Sequence, residues 1–427
     1  MTQGQLEVVR ESETAVPKNT LDDLAIFGGQ PSFSNPLHVG RPNIGDRSVF
    51  LSRVNNILDR KWLTNNGPLV QEFERRVASF VGVKHCIAMC NATVALEIAI
   101  RACGMKDEVI IPSFTFVATA HALQWQEITP VFCDIDPRTY CIDPDKVESM
   151  ITPHTTGIIG VHLWGRPCNV DALTEIAERH DLKLLFDAAH AFGCSHQGRM
   201  IGSFGNAEVF SFHATKFLNA LEGGAVVTDD DDLASKIRLM KNFGFAGHDN
   251  VIFIGTNGKM NEISAAMGLT SLESMEEFID VNRRNYHQYL EELEGLRGVT
   301  PVRYDGLRKT NFQYVVYEID EKQAGITRDQ LVKILTAENV IARRYFSPGA
   351  HRMEPYRSCF PHAGLMLPET EKLAKRVVSL PTGTAISSFE IMSISNIIQF
   401  ILLHSPEILE RMQTENVGII KPSIPQR

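Results

Sequence analysis

The sequence predicts an α/β fold: a mostly parallel sheet covered by helices, with a smaller C-terminal α+β domain after it. Three observations carry this expectation. Short, near-continuous apolar runs recur from residue 86 to residue 228, with helical stretches between several of them, the pattern of strands buried on both faces. One helical stretch repeats its apolar residues at the i, i+3, i+4, i+7 spacing of a buried face. After about residue 285 the texture changes to charged helix and isolated strand.

Taken in order, residues 1–25 read as a polar, flexible N-terminal arm, and Gly28-Gly29-Gln30-Pro31 as the turn into the folded body. Residues 69–80 are periodic helix, and Cys86–Cys90 form a short apolar strand. Ala92, Ala95, Leu96, Ala99, Ile100 and Cys103 then line one helix face. Strands follow at Val109–Ile111, Val131–Cys133, Gly157–Val161, Leu184–Phe186, Val209–Phe212 and Ala225–Thr228, with helices over Val170–His180 and Leu233–Asn242. The acidic run Asp229–Asp232 suits a helix start, where anionic side chains meet the positive end of the dipole. These elements make a large domain of residues 26–284. A charged helix, Arg283–Leu296, leads into a small domain of residues 285–427. There Phe312–Ile319 is strand-like, Thr327-Arg-Asp-Gln330 offers a capping box before Leu331–Leu335, and the last strong helix covers 387–404.

Composition bounds the chemistry without naming it. Of 427 residues, 44% are apolar and 22% charged, close to globular averages, which excludes disordered, collagen-like and fibrous classes. A net charge of −9 disfavours a nucleic-acid binder. No apolar stretch approaches the roughly eighteen residues of a membrane span. Glu7, Arg10, Glu11 and Glu13 stand where a secretory segment needs an apolar core. Eight cysteines with no CxxC pair read as buried small hydrophobes in a reducing cytosol. A cytoplasmic protein is expected.

The chemistry lies in Leu184-Leu-Phe-Asp187-Ala-Ala-His190-Ala-Phe-Gly193, then Val209-Phe-Ser211-Phe-His-Ala-Thr215-Lys216, then Glu222-Gly223-Gly224. Asp187 ends an apolar strand, which in an open α/β sheet aims it into the crevice beyond the strand carboxyl ends. Lys216 follows another such strand. An Asp and a Lys at neighbouring strand ends fit pyridoxal phosphate. The lysine forms a Schiff base, and the carboxylate keeps the pyridine nitrogen protonated so the ring can accept electrons. Asn91-Ala92-Thr93, where strand turns into helix, supplies the backbone N–H groups and hydroxyl that a phosphate needs. Singly, these residues have plainer readings: Asp187 as a strand-end cap, Lys216 as a surface lysine, Phe116 as core. Asn91-Ala92-Thr93 also matches the N-glycosylation pattern, by chance in a chain without a secretory segment. Their joint appearance in order outweighs those readings. His162, His213 and His351 lack helical ligand spacing and any Cys/His cluster, so no metal is expected.

Together, the Asp187, Lys216 and Glu222 motifs resemble the DegT/DnrJ/EryC1/StrS family of sugar aminotransferases, of the aspartate-aminotransferase fold type I of pyridoxal-phosphate enzymes. Leu63-Thr-Asn-Asn-Gly67-Pro, Pro112-Ser-Phe-Thr-Phe-Val-Ala118, Val161-His-Leu-Trp-Gly165 and Asn257-Gly-Lys-Met-Asn-Glu262 extend the resemblance from about Asn65 to Lys375. It implies that Lys216 carries the cofactor and that Asp187 pairs with its pyridine nitrogen. His190 then lies beside its phenolic oxygen, Phe116 stacks on its ring, and Ala92, Thr93 and Ser211 line its phosphate pocket. Asn257 fits the family's phosphate contact from the neighbouring subunit, which implies a homodimer with shared active sites. One departure is Ala92, where the family commonly has Gly; a backbone N–H contact survives that change at negative φ.

The resemblance implies an enzyme that moves an amino group from L-glutamate to a nucleotide-linked keto sugar. The segment Gly255-Thr-Asn-Gly-Lys-Met-Asn-Glu-Ile-Ser-Ala-Ala-Met267 resembles members that aminate a dTDP-4-keto-6-deoxyhexose, the alternative being a 3-keto sugar. Relatives that replace the lysine with histidine remove a sugar hydroxyl instead, and Lys216 argues against that activity. A non-catalytic regulatory protein on this fold has no need of Lys216, Asp187 and the phosphate set together. A sulfur-removing lyase needs a reactive loop cysteine; the one candidate, Cys359, sits beside apolar Phe360.

Overall fold

Several large-domain helices begin where the sequence offers a cap or a proline. Asp46 accepts from the N–H groups of Ser48 and Val49 to open α1 (Arg47–Arg60). Pro68 takes the first position of α2 (Pro68–Val81), where its missing N–H costs nothing. Asn91 accepts from the Val94 N–H at 2.9 Å to open α3 (Ala92–Cys103). After α4 (Ala118–Gln124) and α5 (Val170–Arg179), Asp230 caps α6 (Asp231–Met240), so the acidic run is a helix start, as expected. The computed structural model describes residues 15–415.

Between these helices lie β1 (His85–Met89), β2 (Glu108–Pro112), β3 (Thr129–Cys133), β4 (Thr155–Val161), β5 (Lys183–Asp187), β6 (Ala207–Ser211) and β7 (Gly224–Thr228). They form one sheet in the order β1-β7-β6-β5-β4-β2-β3. Every pairing is parallel except those of β7, which runs antiparallel to both neighbours. Alternate residues feed different cores: Ile87, Met89 and Val226 pack in one cluster, Cys86, Ala88 and Val227 in another. Burial on both faces is why the strands read as unbroken apolar runs.

α7 (Glu262–Glu273) and α8 (Met275–Glu292) lead to the second unit. The expected 284/285 boundary falls inside α8, which starts eight residues before the charged stretch because Met275, Phe278 and Ile279 pack on the large domain. Tyr286 and Tyr289 on the same helix pack on the small domain instead. That domain holds an antiparallel sheet of β8 (Val299–Pro301), β9 (Val315–Ile319) and β10 (Val377–Leu380), flanked by α9 (Arg328–Ala337) and α10 (Ser388–Leu403). The Thr327/Gln330 capping box opens α9 as expected.

The flexible arm expected over residues 1–25 needs correction. Residues 1–14 lie outside the described residues, but the rest of the arm is packed against the small domain. Leu24 is fully buried, and Lys18 forms a buried ion pair with Glu338 at 2.9 Å. The Glu338 carboxylate also accepts from the N–H groups of Ala25 and Ser32, so its charge is compensated on every side. Farther on, Leu37–His38 pairs in parallel with Val340–Ile341. The partner for this polar segment lies some 300 residues away in sequence, beyond any local pattern.

The two units are also tied along another seam. Ala350, Tyr356 and Leu367 join the large-domain core. Ser113 Oγ lies 2.6 Å from His351 Nδ1, and Thr370 Oγ1 donates to Asp134 Oδ1 at 2.7 Å. Among the described residues, no single helix is long and apolar enough to cross a membrane.

Candidate active site

The parallel strands deliver their carboxyl ends to one side of the sheet, and a cavity of about 400 Å3 opens there. Asp187 is the last residue of β5, Ser211 the last of β6, and Asn91-Ala92-Thr93 begins α3 just beyond β1. All line the cavity with Lys216, His190 and Phe116, so seven of the eight expected site residues meet in one place. Asn257 is the exception. It is exposed, bridges backbone to backbone with Asn242, and lies outside the cavity of its own chain.

Burial and their mutual charge perturb both Asp187 and Lys216. Removal from water raises the Asp187 pKa, while an N–H from Ala189 (3.1 Å), the Thr119 hydroxyl (2.9 Å) and the Lys216 charge pull it back towards the carboxylate. Enclosure lowers the Lys216 pKa to about 8, against the opposing pull of Asp187. A lysine so shifted exposes a neutral, nucleophilic amine far nearer neutrality than a surface lysine does.

His190 is buried, and desolvation with the Lys216 charge holds its pKa well below the usual value. Its Nδ1 accepts from the Trp164 N–H at 3.3 Å, so the neutral ring carries its proton on Nε2 and offers a donor there. The ring stacks on Phe346, with centroids 5.6 Å apart and planes at 15°. Phe116, expected from the sequence alone to be core if read singly, is 57% exposed at the cavity wall.

The first turn of α3 forms an anion cradle. Asn91 caps Val94, while the N–H groups of Ala92 and Thr93 have no hydrogen-bond partner among the described residues. Gly224 makes the cradle possible, because a Cβ there would stand 2.5 Å from the Ala92 nitrogen. A phosphate at these N–H groups, a cation held at Asp187 and an amine at Lys216 match the three demands of pyridoxal phosphate. The donor set therefore fits the cofactor expected from the sequence.

Several contributors were not assigned from the sequence. Thr119 supports Asp187 and contacts Thr115 Oγ1 at 3.0 Å; both hydroxyls are buried in a segment with no polar pattern to betray them. Behind the Asp187 strand end, the fully buried His162 Nε2 lies 3.1 Å from Glu208 Oε2. Since His162 Nδ1 accepts from the Cys168 N–H, Nε2 is the donor to Glu208. Tyr314, Arg343, Tyr345 and Phe346 come from the small domain, and only folding brings them to the cavity. The three histidines considered for a metal are far apart in role: His162 meets Glu208, His213 meets Thr215, and His351 bridges Ser113 and Glu371.

With that geometry in view, comparison with known proteins is decisive. The DegT/DnrJ/EryC1/StrS aminotransferase family matches residues 46–399. The chain belongs to this family. A dTDP-4-amino-4,6-dideoxy-D-glucose transaminase of Shigella dysenteriae is 37% identical over 83% of this chain and 95% of its own length. The GDP-perosamine synthase of Caulobacter vibrioides is 37% identical over 70% of this chain and 81% of its own. Among solved structures, DesI in the presence of its TDP-sugar product is 53% identical. It superimposes with a TM-score of 0.89 over 92% of this chain and all of the DesI chain. The fold is thus that of the pyridoxal-phosphate aminotransferases, as the sequence predicts.

Proposed function

We propose that the chain is a nucleotide-sugar aminotransferase using pyridoxal 5'-phosphate. It takes an amino group from L-glutamate and gives it to a dTDP-linked 4-keto-6-deoxyhexose. The observation that carries this reading is the facing pair Asp187 and Lys216, set in one cavity with an unpartnered helix N-terminus. When bound, the cofactor supplies an electron sink that makes the amino donor's Cα proton removable. Lys216 Nζ, with its pKa lowered to about 8, holds or releases a proton near neutrality and is the group to move it at Cα. Asp187 is the residue that would hold positive charge at the ring nitrogen. Thr119 and Ala189 hold that carboxylate in place and oppose the burial that favours its protonated form. His190 offers its Nε2–H as a donor, and Phe116 and Phe346 cover apolar faces of the cavity. The choice of a 4-keto sugar rests on the named relatives, which include one GDP-linked as well as dTDP-linked activities.

The active unit in this reading is a homodimer in which Asn257 completes the partner's phosphate site. Asn257 lies amid an exposed apolar surface of Phe243, Val251, Ile252 and Ile254, the last 76% exposed, which suits a covered interface. A two-fold axis would repeat the contact at both sites. A cytoplasmic location goes with this reading. The test is a panel of dTDP-, UDP- and GDP-linked 3-keto and 4-keto sugars with glutamate, followed by product mass. Amination of a dTDP-4-keto sugar is expected; amination of none of the panel refutes the reading.

A further inference from the structure

A second concave site lies outside the cofactor cavity. Residues 165–167, 303–305 and 308–310, with Thr139, enclose a pocket of about 280 Å3. Four of its lining residues are cations (Arg166, Arg303, Arg308 and Lys309), and Asp305 is the one carboxylate. This concentration stands in a chain of net charge −9. Arg308 is paired with Asp305 at 3.0 Å, and Arg166 donates to the Arg138 carbonyl and lies over the Tyr140 ring. Among the described residues, the side chains of Arg303 and Lys309 have neither an ion-pair nor a hydrogen-bond partner. The pocket therefore carries three positive charges in excess, held together by the fold against their mutual repulsion.

Such an arrangement is relieved by an anion of several charges. Guanidinium forks match phosphate oxygens bidentately, and a lysine adds a point charge. Thr139 and Thr310 also line the pocket. The volume falls just under the about 300–1,000 Å3 of a drug-sized ligand site, which suits a diphosphate group better than a whole nucleotide-linked sugar. The pocket shares a wall with the cofactor cavity: Tyr304, on the pocket side, donates its hydroxyl to the carbonyls of Tyr314 (2.8 Å) and Trp164 (3.1 Å). Tyr314 packs 4.6 Å from His190 on the cavity side.

We propose that this pocket is a binding site for a diphosphate-bearing anion, separate from the cofactor cavity. The site does not depend on the aminotransferase reading, since none of its cations lines that cavity. The test is isothermal titration of the full-length, cofactor-loaded protein with pyrophosphate at about 0.15 M salt. Three proteins are compared: the unaltered chain, the double variant R303Q/K309Q, and R343Q, whose altered arginine lines the cofactor cavity. Both residues of the double variant are exposed, and an unchanged melting temperature shows that its fold is intact. One pyrophosphate per chain is expected, retained in R343Q and weakened at least tenfold in R303Q/K309Q. Titration with dTDP separates the sources of the group. Equal affinities assign recognition to the diphosphate alone, and tighter dTDP binding that also falls tenfold in the double variant extends it to a nucleoside. Absence of pyrophosphate binding, or binding undiminished in R303Q/K309Q, overturns the proposal.

Discussion

Gly224→Ala tests the anion cradle through a single methyl group. The Cβ of an alanine would lie 2.5 Å from the Ala92 nitrogen and 2.5 Å from the Asn91 carbonyl carbon, where ordinary contact begins at 3.4 Å. Relief requires β7 and the first turn of α3 to part by about 0.9 Å, since both obstructing atoms are backbone. Overpacking of this kind costs about 1–3 kcal/mol of stability. The effect on cofactor affinity should be larger than the stability loss implies, because the displaced atoms are the N–H donors themselves. Losing the alignment of one charge-assisted bond at about 1.5–3 kcal/mol corresponds to roughly 10- to 150-fold weaker binding. The assay is titration of cofactor-free protein with pyridoxal phosphate, followed by the visible absorbance of the bound form, with thermal melting alongside. An affinity within threefold of the unaltered chain, with the fold intact, would show that the N-terminus of α3 is not the phosphate site.

Three further outcomes follow from the same geometry. Asp187→Asn should lower kcat by at least tenfold while melting changes little. The Thr119 hydroxyl can turn to accept from the new amide, but the amide cannot offset a positive ring nitrogen; activity within twofold of the unaltered enzyme refutes the assignment. Cofactor uptake by the cofactor-free chain should accelerate as pH rises through about 8, where Lys216 loses its proton. In Asp187→Asn the midpoint should move lower, because the carboxylate that favours the ammonium is gone, and a midpoint in stopped-flow rates against pH that stays put or rises would show that the pairing is misread. Finally, Lys216→Ala chains mixed with Asn257→Ala chains and reassociated should regain activity above either parent, since one pocket of the hybrid collects both defects and the other neither. With subunit exchange proven and Asn257→Ala shown to impair its own homodimer, no gain on mixing means that Asn257 acts within its own chain.

The sequence by itself determined the sheet strands of the large domain, four of its helices, and the candidate residues at its strand ends; helices such as Arg47–Arg60, Ala118–Gln124 and Glu262–Glu273 were not read from it. β1 to β7 lie where continuous apolar runs predict them, because strands buried on both faces cannot alternate. Caps such as Asp230 and Thr327 mark helix starts because the orphan N–H groups there need an acceptor within a few residues. Asp187, at the end of one apolar strand, and Lys216, five residues after another, were legible through their joint appearance in order with several further motifs, since each alone has a plainer reading. The tertiary structure decided what depends on distant partners. The neutral state of His190, the hydroxyl support from Thr119, and the small-domain residues at the cavity arise from burial and contact across long sequence separations. The same holds for residues 15–25, whose polar composition reads as a loose arm until Glu338, more than 300 residues away, receives Lys18 and two backbone N–H groups. Local pattern reports the periodicity of an element and the needs of its ends; desolvation and charge pairing are set by neighbours that only the folded chain brings together.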